Sequence, residues 1–183
     1  NLITIEIMPK NKNFINYQDK FILGKSSQLI KYFDVIVFAR RDIEKVIIPS
    51  FIKKISSYAF ENCSKLIEVD FSKQSKLMLI GDNAFSYTNI NNICIPSSVT
   101  HISEYAFSDC KLLVKIMFSK NSKLRTIEKF AFYYSAFESI TIPSDVFQIE
   151  SFAFSYCKNL HIIEIEENSK LRSINIDIFN GVQ

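Results

Sequence analysis

Four cysteines and two histidines are the side chains with the widest chemical repertoire in this 183-residue chain. Nucleophilic catalysis by cysteine needs a histidine within hydrogen-bonding reach, and a redox or metal site needs cysteines paired at short spacing. Cys63, Cys110 and Cys157 instead recur at intervals of 47 residues. This spacing indicates one structural position repeated three times rather than a catalytic or metal-binding cluster.

The histidines do not join this pattern. His101 aligns with Lys54 at a position typical of a solvated turn, and His161 aligns with Val114 near the start of a strand. The chain has only three glycines, so it contains no glycine-rich phosphate-binding loop. Paired carboxylates and a nucleophile elbow are absent from the sequence too. We therefore expect no enzyme, and we assign no catalytic, metal or cofactor site.

Short repeats position these residues. Prolines recur every 47 residues at Pro49, Pro96 and Pro143, and a related unit lies between each pair. Phenylalanine anchors of both units are spaced alternately by 25 and 22 residues, at Phe60, Phe85, Phe107, Phe132, Phe154 and Phe179. A period of this length lies within the range of leucine-rich repeats. We predict six repeats over residues 43–183, alternating in length.

Each repeat is predicted to form one coil of a leucine-rich repeat solenoid. The pattern is that of an α/β-type, curved, right-handed coil with short parallel strands on one side and short helical turns and loops on the other. In each coil an apolar triplet of the form L-x-x-L-x-L builds the strand, and an Ala-Phe pair fills the far side. The last pair has Ile178 in place of alanine, so we expect the final coil to pack differently.

Residues 1–42 fit the repeat poorly, and we interpret them as a degenerate N-terminal coil with a hairpin that caps the array. Ile3, Ile5 and Ile7 alternate with other residues and predict a strand, and residues 21–23 and 35–38 predict two more. The chain starts without methionine or a signal-peptide pattern, and it ends before the next expected proline. We expect an excerpt of a longer array.

We use "column" for residues at one position in successive coils. Cys63, Cys110 and Cys157 lie two coils apart in one column, so at roughly 4.8 Å per coil their Cα atoms are about 10 Å apart, too far for a disulfide. Thr88 and Ser135 occupy the same column between them. We expect free thiols that, like these hydroxyls, satisfy backbone groups in a tight turn.

The unit from Ile95 to Leu113, Ile-Pro-Ser-Ser-Val-Thr-His-Ile-Ser-Glu-Tyr-Ala-Phe-Ser-Asp-Cys-Lys-Leu-Leu, resembles the repeats of BspA-like leucine-rich repeat proteins. Those repeats read roughly I-P-x-x-V-x-x-I-x-x-x-A-F-x-x-C-x-x-L, and the resemblance covers about residues 43–181. It implies a cell-surface or secreted protein of a bacterium or protozoan parasite. It also implies adhesion to a host extracellular-matrix or cell-surface protein.

In a leucine-rich repeat the sheet lines the concave side, where partners usually bind. Apolar side chains on this outward face suggest a partner-binding surface, although single exposed apolar residues are also common without function. The candidate partner-binding residues form two columns, Ile47, Asp70, Cys94, Met117, Thr141 and Glu164, and beside them Lys45, Glu68, Asn92, Lys115, Ser139 and Ile162.

A second candidate surface is a basic stripe in the turns, formed by Lys76, Lys123, Arg125, Lys170 and Arg172. It suits an acidic protein or an acidic glycan, or it is simply an inherited solvated position. On the far side, Tyr87, Tyr133, Tyr134 and Tyr156 are expected to cover core edges. Asn62-Cys63-Ser64 matches the N-glycosylation acceptor pattern in a tight turn.

Composition excludes other classes of partner. The 22 basic and 19 acidic side chains leave a net charge of +3, too small to predict nucleic-acid binding. No run of 18 apolar residues exists, so we expect no direct membrane insertion in this segment.

The leading hypothesis is an extracellular or cell-surface protein-binding module. The alternatives are a structural spacer that holds other domains off a surface and an intracellular, cytoplasmic scaffold, which unpaired thiols would suit. Because the final coil would expose Leu171, Ile174 and Phe179, we also expect that it can pair with a second copy into a homodimer.

Overall fold

The computed structural model describes residues 5–182, which form a parallel β-solenoid of about six turns. Four-residue strands build one side of the coil: β4 (Lys45–Ile48), β6 (Glu68–Phe71), β8 (Asn92–Ile95), β10 (Lys115–Phe118), β12 (Ser139–Ile142) and β14 (Ile162–Ile165). Two-residue strands build a second side: β5 (Lys54–Ile55), β7 (Leu79–Ile80), β9 (His101–Ile102), β11 (Thr126–Ile127) and β13 (Gln148–Ile149). The leucine-rich repeat solenoid predicted from the repeat period is therefore confirmed.

Three antiparallel strands precede the coils, and we call them together the N-terminal hairpin. They are β1 (Ile15–Tyr17), β2 (Phe21–Gly24) and β3 (Val35–Ala39). The middle strand, β2, pairs with both of the others, and β3 also pairs in parallel with β5. The predicted strands at 21–23 and 35–38 are confirmed as β2 and β3. The predicted strand over Ile3–Ile7 is wrong where it can be judged, because residues 5–8 form no strand; Ile3 lies outside the described residues. Instead β1 takes the edge of the hairpin.

The hairpin is tied to the first coil by Asp34, whose side chain is fully buried. Its carboxylate accepts hydrogen bonds from the backbone N–H and the hydroxyl of Ser26, both at 2.8 Å. The Nζ atom of Lys53, in the first coil, lies 3.5 Å from the same carboxylate. The hairpin and the two-residue strands of the coils form one eight-stranded sheet. The capping role of residues 1–42 and their boundary stay predictions.

A ladder of phenylalanine rings fills the coil. The rings of Phe85 and Phe107 are fully buried and stack with centroids 5.2 Å apart, and Phe107 continues to Phe132 at 5.4 Å. In the last coil Ile178 keeps the backbone bond of the alanine it replaces, because its carbonyl accepts from the N–H of Phe154 at 3.0 Å. The final coil does differ, since a 3₁₀ helix, Ile176–Phe179, forms there.

The third side of the coil consists of stacked turns rather than the short helical turns expected from the sequence. Aromatic residues lie in the left-handed region, with φ of 64° at Tyr58, 55° at Tyr105 and 56° at Phe130. Backbone N–H groups here donate to the next coil, as from Phe60 to the carbonyl of Ala84 at 2.8 Å. These bonds between coils replace those that a helix would make within one segment. The 3₁₀ helix at the end is the only helix in residues 5–182.

The cysteine column satisfies backbone carbonyls, as predicted. The thiol of Cys110 donates to the carbonyl oxygen of Phe85 at 3.2 Å, and that of Cys157 donates to Phe132 at 3.0 Å. The hydroxyl of Thr88 in the same column donates to Phe85 at 2.8 Å. Burial raises the pKa of Cys110 and of Cys157 to about 12. Both cysteines are free thiols in the structure, as is Cys63, whose pKa is also raised by burial.

Candidate binding surface

The outward side chains of the four-residue strands form one surface, which we call the strand face. Along β4 and β8, exposed and buried residues alternate strictly, because successive side chains of a strand point to opposite sides. Registers Lys45↔Glu68, Asn92↔Lys115 and Cys94↔Met117 place predicted neighbours side by side. The structure thus brings all twelve predicted sheet residues onto this face, while their binding role stays a prediction. They are Lys45, Ile47, Glu68, Asp70, Asn92, Cys94, Lys115, Met117, Ser139, Thr141, Ile162 and Glu164.

The strands of this face are paired unequally. Four residue pairs join β4 to β6, β8 to β10 and β12 to β14, whereas one pair joins β6 to β8 and no register joins β10 to β12. Proline removes the last possible bond at each weak junction. The N–H of Ser119 donates to the carbonyl of Ile95 at 2.9 Å, but Pro96 and Pro143 have no N–H to give to the coil before them. Shallow grooves lie beside β8 and β12.

Several polar residues of the strand face are already paired within the protein. Lys45 Nζ lies 2.6 Å from a carboxylate oxygen of Glu68, which raises the pKa of Lys45 and lowers that of Glu68. The hydroxyl of Thr141 donates to Glu164 at 2.8 Å. Lys115 differs, because no carboxylate in the described part of the chain pairs with it. Its charge is available to a partner.

Exposed apolar side chains lie near Lys115, among polar neighbours such as Asn92 and Ser139. Met117 is 38% exposed on the same strand, and Cys94 is exposed beside it. Val114 precedes β10 and is 57% exposed, a contribution that sequence reasoning missed. Its signal was its column, because Val114 aligns with Ile67, which is also exposed just before a strand. We call Cys94, Val114, Lys115 and Met117 the central patch.

The predicted basic stripe lies in the loops that follow the strand face. All five of its residues are exposed: Lys76, Lys123, Arg125, Lys170 and Arg172. Lys170 forms an ion pair with Asp145 at 2.5 Å, which lowers the pKa of Asp145. The loops carry two further exposed lysines, Lys73 and Lys120, which the prediction omitted although they occupy equivalent positions 47 residues apart.

The remaining candidates are dispersed. His101 lies in β9 with Nδ1 2.8 Å from the hydroxyl of Thr100, and His161 is exposed with Nδ1 2.7 Å from the carbonyl oxygen of Asn159. Among residues 5–182 no cluster of histidine, cysteine and acidic residues has the arrangement of a metal site. No helix in that range is long and apolar enough to cross a bilayer.

The turn side carries aromatic residues that pack on one another. Tyr134 stacks on Tyr156 with centroids 4.9 Å apart, and Tyr133 contacts both rings edge-on. Tyr87 is 51% exposed and Tyr156 is 36% exposed, and the expectation that the four tyrosines cover core edges stays a prediction. Asn62 of the glycosylation pattern is exposed in a left-handed turn, with φ of 57°.

Comparison with known proteins identifies the family. The model for the BspA type leucine rich repeat region matches six copies, over residues 31–124 and 78–183. The pneumococcal vaccine antigen PcpA is 35% identical over 68% of this chain, with a TM-score of 0.66. The chain spans 31% of the length of that antigen structure.

Two further solved structures share the fold. A leucine rich repeat protein of T. pallidum is 22% identical over 87% of this chain and 71% of its own, with a TM-score of 0.64. A leucine rich cell surface protein of Faecalibacterium prausnitzii is 22% identical over 86% of this chain and 53% of its own, with a TM-score of 0.54. No curated protein matches. From its repeats, its fold and the extent of the family match, the chain belongs to the BspA type leucine rich repeat family.

Proposed function

We propose that this chain is a non-enzymatic protein-binding module of a cell-surface or secreted protein, and that it docks partners on the strand face. The observation that carries the proposal is the central patch. It combines an unpaired lysine with exposed apolar side chains on and beside two neighbouring strands. Such a combination favours a partner that offers a carboxylate next to apolar groups.

The central patch has features of an energetic centre for binding. Methionine adapts to different partner shapes, and apolar side chains near a charge help to exclude water from it. The patch lies on β8 and β10, with the coils of β4, β6, β12 and β14 on either side. A partner of ordinary interface size would therefore cover the patch and rest its rim on the polar residues around it.

The proposed location follows from the similar proteins. One is described as a vaccine antigen and another as a cell surface protein. For this chain we propose a surface or secreted location and adhesion to a host matrix or cell-surface protein. The free thiols fit an oxidising compartment as well, because Cys110 and Cys157 are buried and hold their protons up to a pKa of about 12.

The proposal is tested with the double variant Lys115→Glu/Met117→Glu. Its matched control, Lys65→Glu/Met8→Glu, makes the same two chemical changes at exposed positions outside the strand face. Binding would be measured against a panel of extracellular-matrix and host cell-surface proteins by surface plasmon resonance. We expect at least one partner that loses about tenfold or more in affinity with the first variant and little with the control.

Two results would count against binding on the strand face. Equal binding by both variants would place the site elsewhere. If no protein of the panel or of host-cell extracts binds the original chain, that result would support the spacer hypothesis instead. The spacer hypothesis is supported by the continuous hydrogen bonding between coils along the short strands, from Asp34 to Arg125.

A further inference from the structure

Loops of alternating length make a furrow beside the strand face. Seven residues, 72–78, link β6 to β7, whereas five residues, 96–100, link β8 to β9. The longer loops rest on the preceding coil, as the N–H of Lys123 donates to the carbonyl of Ser97 at 2.9 Å. The short loop over Pro96 and Ser97 thus lies between two longer loops, 72–78 and 119–125. We call the depression over this short loop the first furrow. The depression over the equivalent loop, at Pro143 and Ser144, is the second furrow.

The second furrow holds a carboxylate of the protein itself. The backbone N–H of Ser144 donates to a carboxylate oxygen of Glu166 at 2.8 Å. One repeat pair earlier, that is 47 residues back, the same two positions are Ser97 and Ser119. Ser119 has no carboxylate, and the N–H of Ser97 donates to no acceptor among residues 5–182. The same backbone site therefore meets an anion in one furrow and offers a free donor in the other.

The charges around the first furrow favour an anion. Lys73 lines it, and Lys76, Lys120 and Lys123 are exposed on the two loops that border it. None of these four lysines forms an ion pair within the described part of the chain. The single acidic residue in its lining is Asp70, where the furrow opens onto the strand face. Four positive charges against one negative charge create a positive potential there.

We propose that the first furrow binds a carboxylate, supplied by an acidic side chain of the protein that docks on the strand face. The inference rests on the proposed function. The occupant of the second furrow is a glutamate side chain, so a protein carboxylate is the ligand for which this backbone site has a precedent in the same chain. Cys94, a member of the central patch, also lines the first furrow, so one partner can reach both.

The test is an NMR titration of the whole 183-residue chain with a hexaglutamate peptide, followed at the amide signals of Ser97 and its neighbours. A hexaglutamine peptide is the uncharged control, and polygalacturonate is the arm that presents carboxylates on a polysaccharide. We expect a saturable shift of the Ser97 amide with hexaglutamate and none with hexaglutamine. The shift should weaken as salt is added, because the bordering lysines are exposed.

Two reciprocal substitutions make the assignment specific. Ser119→Glu places in the first furrow the carboxylate that Glu166 places in the second, so it should weaken peptide binding at Ser97 about tenfold or more. Glu166→Ser frees the N–H of Ser144, so a peptide-dependent shift should appear there. Asp70→Asn removes the opposing charge and should tighten binding at Ser97. If Ser119→Glu does not fold, Lys73→Gln tests the same site through its charge.

Each outcome decides the proposal. Absence of a saturable shift at Ser97, or a shift that survives in Ser119→Glu, would overturn it. A shift with polygalacturonate and none with hexaglutamate would replace the protein carboxylate with an acidic glycan. None of these results touches the strand-face proposal, whose own test uses the Lys115 and Met117 substitutions. Conversely, a strand face without any partner would leave a positive peptide titration as evidence for an isolated anion site.

Discussion

The buried thiols should make the protein lose stability at alkaline pH. In the unfolded chain a thiol loses its proton above about pH 9, whereas burial raises the pKa of Cys110 and of Cys157 to about 12 in the native state. Between these pH values the unfolded state binds fewer protons, so the free energy of unfolding falls as pH rises. The contribution is fully present below pH 9 and is lost progressively towards pH 12.

The magnitude follows from the two pKa values. Going from pH 8 to pH 10 should lower the free energy of unfolding by about 1.4 kcal/mol for each thiol, or about 3 kcal/mol for the pair. The double variant Cys110→Thr/Cys157→Ser should escape this loss. Threonine and serine are the residues that the chain uses at positions 88 and 135 of the same column, where their hydroxyls donate to phenylalanine carbonyls.

The assay is urea unfolding followed by far-UV circular dichroism at pH 8 and pH 10, because the chain has no tryptophan. Burial and nearby charge also raise the pKa of tyrosines such as Tyr105 and Tyr87, but these tyrosines are common to both proteins and cancel in the difference. Cys94→Ser, at an exposed position, is the matched control. The reasoning is wrong if the double variant loses as much stability as the original chain, or if the control protects equally.

Two further predictions concern the parts that hold the solenoid together. Asp34→Asn should destabilise the N-terminal hairpin by about 1–3 kcal/mol, because it weakens two charge-assisted bonds to Ser26 in a fully buried place, and hydrogen exchange of the Ser26 amide should rise far more than that of Ser103. Unchanged hydrogen exchange at Ser26 would contradict the role of Asp34 in tying the hairpin to the first coil. Phe107→Ala should cost about 3–5 kcal/mol in urea unfolding, because it opens a cavity between two stacked rings, whereas the exposed Phe147→Ala should cost less than about 1 kcal/mol. Similar costs for both would contradict the ladder as the core.

Much of the coil could be predicted because the type of each side chain follows directly from whether its position is buried or exposed. Val46 and Ile48 alternate with exposed residues in β4, and Phe107 and Phe132 keep their spacing because each must fill the same place in its coil. The cysteine column could be predicted for the same reason, since only small groups that can donate a hydrogen bond recur at Cys110 and its equivalents.

The turns could not be predicted from local propensity. Aromatic residues such as Phe130 and Tyr156 disfavour positive φ, yet both adopt it because backbone bonds to neighbouring coils fix the turn and their rings stack. The strand predicted over Ile3–Ile7 failed for the opposite reason: alternation alone does not provide a partner strand, and the hairpin edge was taken by β1.

Part of the unequal pairing of the strand face could be predicted from the sequence, because Pro96 and Pro143 lack the N–H groups that would bond to the preceding coil. The contact between Ser144 and Glu166 could not be predicted. It joins two residues in successive coils whose side-chain direction depends on loop geometry, and only the three-dimensional arrangement shows that Ser97 and Ser119 repeat it without the carboxylate.

The most direct test of the central claim uses Cys94, the one exposed thiol and a member of the central patch. A photoactivatable cross-linker attached there would be compared with one attached to Lys65→Cys in a Cys94→Ser background, with both proteins incubated with the same partner found in the binding panel. Docking on the strand face predicts cross-linking from position 94 only, competed by unlabelled original chain and not by Lys115→Glu/Met117→Glu. Cross-linking from position 65 alone, or equally from both, would contradict it.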